Sequence, residues 1–560
     1  MKKYIMPLFV VLFVLLLAAC ADDSNVDEQT AGGNDDAAEE SNSGDLVIAM
    51  QDDVVSLDPH GSNDTASAQV RMNIYETLVN QSADMDLESG LAEEWDSVEG
   101  DVWNFKLREG TTFHSGEEFT AEDVKATLER VSDEAVASEA AFLFEMIEEV
   151  EIVGDYEVNI HTEYPFAPLP SHLAHNTGGI ISKSLIDEDY QFALDEAGLD
   201  MTADEYYELR ESESEEYESI KEDISEHLGS VIGSEADGTN HLVLENRTPG
   251  QETVLTKFEN FQGGERSFEK VTFRVIPESG ARLAELETGG AQVVRDVDSA
   301  NSDRVADGEN TELIEQESLR TDYLGFNVEK EPFDDVKVRQ AISMAIDRDA
   351  ILEGVYDSMG QTASHPIAPE VWGYDESLTG QEYDLEQAKE LMAESDHPDG
   401  FSTELWVRDD QMNVDTALYI QESLAELDID VEVEQLEWGT FLESTGQGNQ
   451  EMFLMGWTTV TADADNGLYA LYHSDNFGST GNRSFYANEE LDEALVNGRT
   501  EADETAREDA YSKAQEIIIE EAPTASIVHS NFSIGVDSSQ VEGVEMDPIG
   551  IVRIENVSFK

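Results

Sequence analysis

The chain has 560 residues and a formal net charge of −94, from 125 Asp and Glu against 31 Lys and Arg. A surface of that sign repels phosphate backbones and anionic headgroups, which excludes nucleic acid and acidic lipid as partners. Cys20 is the only cysteine, which excludes a structural disulfide and a cysteine-built zinc site.

Lys2 and Lys3 precede an apolar stretch, Ile5 to Leu17, of 13 residues. A membrane span needs about 20 residues, so residues 1–19 read as a secretory signal. The stretch ends in Leu17-Ala18-Ala19-Cys20, small residues directly ahead of the cysteine. That order predicts cleavage after Ala19 and diacylation of Cys20, and two acyl chains anchor stably where one does not. The expected location is the extracellular face of the cell membrane. Residues 20–44 are rich in Asp, Glu, Asn, Ser and Gly with no hydrophobic period, which predicts a flexible tether. Removing Met1 to Ala19 takes away two lysines and leaves about −96. At about 1 M salt the Debye length falls to roughly 3 Å, so the charge suits a protein of brine.

From Leu46 the pattern becomes globular, and hydrophobic residues make up 40% of the chain, enough for large cores. Thr120-Ala121-Glu122-Asp123 predicts a capped helix start, with Val124 and Leu128 on one face. Residues 187–226 are dense in Glu, Asp and Tyr and predict a helical insertion with a solvated surface. Val271, Phe273 and Val275 alternate with polar residues as a strand. A helix over Ser279 to Glu287, stopped at Gly289-Gly290, and a strand over Ala291 to Val294 complete a β-α-β rhythm. Asp334-Asp335 precede a helix whose face carries Val338, Ala341, Ile342, Ala345 and Ile346. A helix over Thr416 to Leu427 leads into a strand carrying Ile429, Val431 and Val433. These alternations predict an α/β protein with mixed sheets.

His172 and His175 stand at i, i+3 without a companion carboxylate motif, and predict a structural or surface role rather than a metal site. Neither a Gly-x-Ser-x-Gly elbow nor a phosphate-cradling glycine loop is present, so the chain is expected to be no enzyme and to need no cofactor.

Three blocks in order carry a resemblance. The first runs from Ser56-Leu57-Asp58-Pro59-His60 and Asn73-Ile74-Tyr75-Glu76-Thr77-Leu78-Val79, through Leu91-Ala92-Glu93 and Trp95, to Trp103–Gly110 and Phe113–Val124. The second is Phe326-Asn327 with Pro332–Asp335 and Val338–Ile342. The third is Gly456-Trp457 with Asp463–Asn466, Leu471, Gly481–Arg483 and Asn488. Together they resemble the family 5 extracellular solute-binding proteins of ABC importers, nearest the glutathione and dipeptide subgroup. The resemblance implies a two-lobed, type II periplasmic-binding-protein-like α/β fold with an extra domain from the N-terminal half and a hinge between lobes. Lobe I is expected from residues 45–86, 241–320 and 525–560, the extra domain from 87–240, and lobe II from 321–524. It also implies a small peptide-like cargo captured by lobe closure and passed to permease subunits served by cytoplasmic ATPases. A monomer is expected.

A peptide carboxylate calls for a two-pronged arginine. Arg408 is the candidate, because its spacing to Glu437-Trp438-Gly439 is similar to that of the carboxylate-binding arginine of dipeptide-binding relatives. Peptide-binding relatives place an amine-binding aspartate where Val460 stands here. Asp463 or Asp465 is left to compensate. Trp438 and Trp457 are candidate apolar walls, and Thr458 and Thr459 candidate hydroxyl donors. A nickel chelate or an oligosaccharide stays open as cargo, and an envelope-tethered peptidase is the reading from another class.

Overall fold

The computed structural model describes residues 44–212, 215–264, 266–380 and 382–560. The signal segment, Cys20 and the tether up to residue 43 lie outside them.

A seven-stranded sheet has strand Asp45–Met50 near its middle, because Leu46, Ile48 and Met50 are all buried. On one side that strand pairs in parallel with Lys270–Val275, and on the other with Val293–Arg295. The predicted β-α-β unit is therefore real but split, with the first strand of the chain inserted between its two strands. Helix Ser279–Thr288 crosses over, and Gly289, at φ 74°, ends it in the left-handed region where a side chain would be strained. The second strand begins two residues later than the pattern predicts.

A six-stranded sheet follows the order Gly360–Thr362, Thr524–Ser530, Arg320–Phe326, Met452–Thr458, Phe401–Arg408, Ile429–Leu436. The last three strands are parallel. Helices Val336–Ala345 and Gln411–Ala425 cover one face, burying Val338, Ala341, Ile342, Ala417, Ile420 and Leu424. The second of these starts five residues ahead of the predicted Thr416, because the Asp410 carboxylate accepts from the Asn413 N–H and caps it there.

The chain passes between these two sheets twice. Strands Thr311–Gln316 and Phe532–Asp537 pair in the first sheet, and their continuations, Arg320–Phe326 and Thr524–Ser530, pair in the second. Residues 317–319 and Asn531 are the crossing points, and the buried Ser318 hydroxyl donates to the Ser530 carbonyl between them. Two short adjacent crossings make a hinge: they carry the chain from one lobe to the other.

A third unit is a four-stranded antiparallel sheet, Ala92–Glu99, Val102–Leu107, Glu157–Thr162 and Ile147–Gly154, backed by helix Ala121–Val131. Asp123 accepts from the Thr120 N–H at that helix's start, and Val124 and Leu128 enter a core with Phe105, Phe113 and Phe119. The acidic insertion forms helices Lys183–Glu196, Ala203–Glu211 and Glu215–Ser225. Its tyrosines point inward. The hydroxyls of Tyr190, Tyr206 and Tyr217 donate to the Asp133 carboxylate at 2.6, 3.0 and 3.0 Å. Aromatic bodies thus replace the missing aliphatics, and one buried carboxylate satisfies three phenols. Among the described residues no helix is long and apolar enough to cross a membrane.

Candidate functional site

The parallel strands Phe401–Arg408, Ile429–Leu436 and Met452–Thr458 bring their carboxyl ends to one edge, beside the antiparallel strand Arg320–Phe326. Ligands of open α/β sheets lie outside the carboxyl ends of strands, where the order reverses. Alternation sends Leu405 and Val407 into the helix-covered core and Trp406 and Arg408 to the other face.

Arg408 is the last residue of its strand, with a side chain 52% exposed. It makes no hydrogen bond among the described residues. Its one ion pair is a 3.6 Å approach to Asp410, whose oxygens already serve Asn413. The guanidinium lies 5.3 Å from the centroid of the Trp438 ring. Trp438 opens helix Trp438–Gly446, is 40% exposed, and stacks on Phe441 at 5.6 Å. The arginine is held over an aromatic wall with its donors unspent.

Trp457 and Thr458 end the neighbouring parallel strand, Met452–Thr458, and are half-buried. Trp457 packs with Trp406, Leu436, Phe441 and Met455. Its indole N–H is shielded from solvent and has no acceptor. Thr459 is buried, and its N–H donates to the Leu319 carbonyl at the hinge, at 3.0 Å. A Cβ built on Gly467 would meet the Thr459 hydroxyl at 2.7 Å, so that hydroxyl is turned inward. Arg408, Trp438, Trp457 and Thr458 therefore share the edge, while Thr459 braces it. Val460 is half-buried beside them.

Asp463 and Asp465 sit elsewhere. Asp463 caps helix Ala464–Tyr472, accepting from the Asp465 N–H at 3.0 Å, and takes Arg507 Nη2 on both oxygens at 3.0 and 2.8 Å. Asp465 receives Arg499 Nε and Nη2 at 3.0 and 2.9 Å. Burial raises the Asp463 carboxyl, and the Arg507 charge offsets only part of this. At Asp465 burial also acts upward, but Arg499 prevails and the pKa lies below the ordinary value. Both carboxylates are internal braces, and a cargo ammonium would have to displace a guanidinium to reach either.

The same cluster touches the four-stranded unit. The Ala167 N–H donates to the Arg499 carbonyl at 2.9 Å, and the Arg499 guanidinium lies 5.2 Å from Phe166. His172, donating from Nδ1 to the Leu143 carbonyl at 2.8 Å, brings Nε2 to 3.8 Å from Asp465. His172 and His175 are both buried, and no three metal-ligating side chains converge among the described residues. A cavity of about 370 Å³ lies between this unit and the Asp463 loop, with Trp103, Ser171, Trp372, Ala462 and Arg507 in its wall. Arg408 and Trp438 line no part of it.

Sequence reasoning missed Arg499 and Arg507, which stand 34 and 44 residues from the carboxylates they hold. Cation scarcity was the available signal: with 31 basic residues, a buried carboxylate is expected to be matched to one of them.

Comparisons with known proteins bear on the family and the fold. Residues 86–479 match the model of the bacterial extracellular solute-binding proteins, family 5. The glutathione-binding protein GsiB of Escherichia coli (strain K12) is 29% identical over 493 residues, covering 86% of this chain and 88% of that protein. The dipeptide-binding protein of the same strain is 28% identical over 499 residues, covering 84% and 86%. Among solved structures, HbpA2 from Haemophilus parasuis superposes with a TM-score of 0.78 at 26% identity over 92% of this chain and all of that one. DppA from Helicobacter pylori, in complex with the peptide STSA, gives 0.73 at 29% identity over 92% of this chain and 98% of its own. The fold is the two-lobed periplasmic-binding-protein-like architecture, with mixed sheets and a hinge. The relatives are named as solute-binding proteins. The chain belongs to the family 5 bacterial extracellular solute-binding proteins.

Proposed function

We propose that the protein is the lipid-anchored binding component of an ABC importer, capturing small peptides or glutathione-like solutes as its two lobes close. The observation that carries this reading is Arg408: a guanidinium with no hydrogen bond, seated on Trp438 at the carboxyl edge of three parallel strands. A cargo carboxylate would take the two-pronged hydrogen bond Arg408 leaves unused. The Trp457 indole N–H suits a cargo carbonyl, and Thr458 offers a hydroxyl beside it. With Val460 in place of an acid, and with Asp463 and Asp465 committed to arginines, the carboxylate end of the cargo carries more of the recognition than its amine.

Cys20 would hold the protein to the outer face of the membrane through its lipid, with the following acidic segment as tether, and the closed lobes would dock on permease subunits. The strong negative charge suits work at high salt.

Isothermal titration of the soluble chain in about 1 M salt, with di- to pentapeptides and glutathione, tests the reading. Saturable heat with wild type that Arg408→Ala abolishes is the expected result. Absence of heat with every one of these solutes would eliminate this cargo class.

A further inference from the structure

A second cavity, of about 130 Å³, lies away from the Arg408 edge, at the junction of the seven-stranded sheet and the four-stranded unit. Tyr75, Glu76, His241, Arg266, Asp547 and Arg553 are in its wall. Its polar groups are not balanced among themselves. Glu76 is gripped by Arg108 at 2.7 and 2.9 Å, and Asp547 Oδ2 forms an ion pair with Arg553 Nε at 3.1 Å without a hydrogen bond. Each carboxylate therefore has a guanidinium beside it.

Two other groups are not matched. His241 is 2% exposed and its Nε2 has no partner. Asn240 fixes the tautomer: its amide nitrogen donates to the Met72 carbonyl at 2.7 Å, so its oxygen faces His241 Nδ1 at 3.0 Å and takes that nitrogen's proton. Nε2 is left as a bare acceptor. Burial, and then the Arg266 charge, push the imidazole pKa down to about 3, so it stays neutral.

Arg266 forms no hydrogen bond or ion pair among the described residues, and its shielded Nε has no acceptor. The guanidinium rests 5.3 Å from Phe261. Glu555, the acid whose charge reaches it, approaches Arg553 at 3.5 Å instead. A cation without an acid is out of place in a chain with four acidic residues for every basic one. Its terminal nitrogens keep donors free of any acid among the described residues, so an anion from outside can take them.

We infer that this cavity is a second binding site, for a small carboxylate that carries an N–H or O–H donor beside it, as an amino acid or a 2-hydroxy acid does. The carboxylate lies against Arg266, and the neighbouring donor meets His241 Nε2. A cavity of about 150 Å³ admits benzene, so one of this size takes a molecule of about five heavy atoms. The site does not depend on which cargo the Arg408 edge binds.

Thermal melting of the whole soluble chain in molar potassium chloride, with glycine, acetate and methylamine as probes, tests it. Glycine should raise the melting temperature saturably, acetate less, and methylamine not at all. Arg266→Met should weaken the glycine response by about tenfold or more while leaving peptide titration at Arg408 unchanged. His241→Phe removes the acceptor for the cargo's donor, and should weaken it less, which keeps the test alive should Arg266→Met fold poorly. Acetate as effective as glycine would overturn the donor assignment. No response to glycine would overturn the site, as would a response equal in Arg266→Met or one lost in Arg408→Ala. So would a crystal structure grown in glycine that shows only water between His241 and Arg266.

Discussion

Arg408 over Trp438 and Arg507 over Trp372 are the same two side chains used to opposite ends. The ring distances are similar, 5.3 and 4.2 Å. Arg507 is buried, and spends Nη2 on both oxygens of Asp463 and Nε on the Gly498 carbonyl. Arg408 is half in solvent with a single long contact to an acid already capping a helix. The Arg507 pair locks the Asp463 loop, and the Arg408 pair leaves a charge unspent where cargo can arrive. An arginine's role follows from how much of its hydrogen-bonding capacity the fold has already used.

The widest gap between the two should appear on truncation. Asp463→Ala strands a buried guanidinium, and breaking a buried pair on one side costs about 3–5 kcal/mol. Urea unfolding at high salt measures it; a loss near zero would erase the distinction between the two pairs. Arg408→Ala should leave stability within about 0.5 kcal/mol of wild type. Its effect belongs in titration, where losing one side of a charged hydrogen-bonded pair costs about 2–5 kcal/mol, or at least about thirtyfold in affinity. Arg408→Lys should recover only part of that, because an ammonium lacks the planar fork.

Acid should separate the buried framework from the open edge. His60 and His175 are pushed down to about 3 by burial, with Arg130 and Arg71 respectively adding to it. Unfolded histidine binds a proton near 6.5, so the unfolded chain holds more protons than the folded one between about 6.5 and 3. Stability is therefore full above pH 6.5 and falls as pH drops through that window, by about 1.4 kcal/mol per pH unit for each such histidine. His175→Gln should flatten the slope of stability against pH by that amount; an unchanged slope would show that the imidazole does not titrate on unfolding. The smallest effect is expected from Trp438→Ala. It removes an exposed cation–π contact worth about 0.5–1 kcal/mol, so cargo affinity should fall only several-fold.

Local features were legible in the chain because their causes are local. The apolar period of Val336–Ala345, the cap at Thr120 and the glycine stop after Ser279–Thr288 each depend on residues within a turn or two. Arg408 at a strand end was legible for the same reason, since Leu405 and Val407 declare the strand. The Asp410 cap was overlooked although local, and the following helix was placed short. The tyrosine-lined interior of the acidic insertion was hidden because Asp133, its common acceptor, lies more than 50 residues before the first of those tyrosines.

The amino-acid order by itself determined the family blocks, the α/β alternation, the acidic character and the position of a cation at a strand's carboxyl end. Only the tertiary structure decided which charges remained free. Periodicity and capping are set by neighbours along the chain, whereas the spending of a carboxylate or guanidinium is set by partners that folding brings from far away. Asp463 and Arg408 look equally available in one dimension, and three-dimensional pairing leaves just one of them unsatisfied.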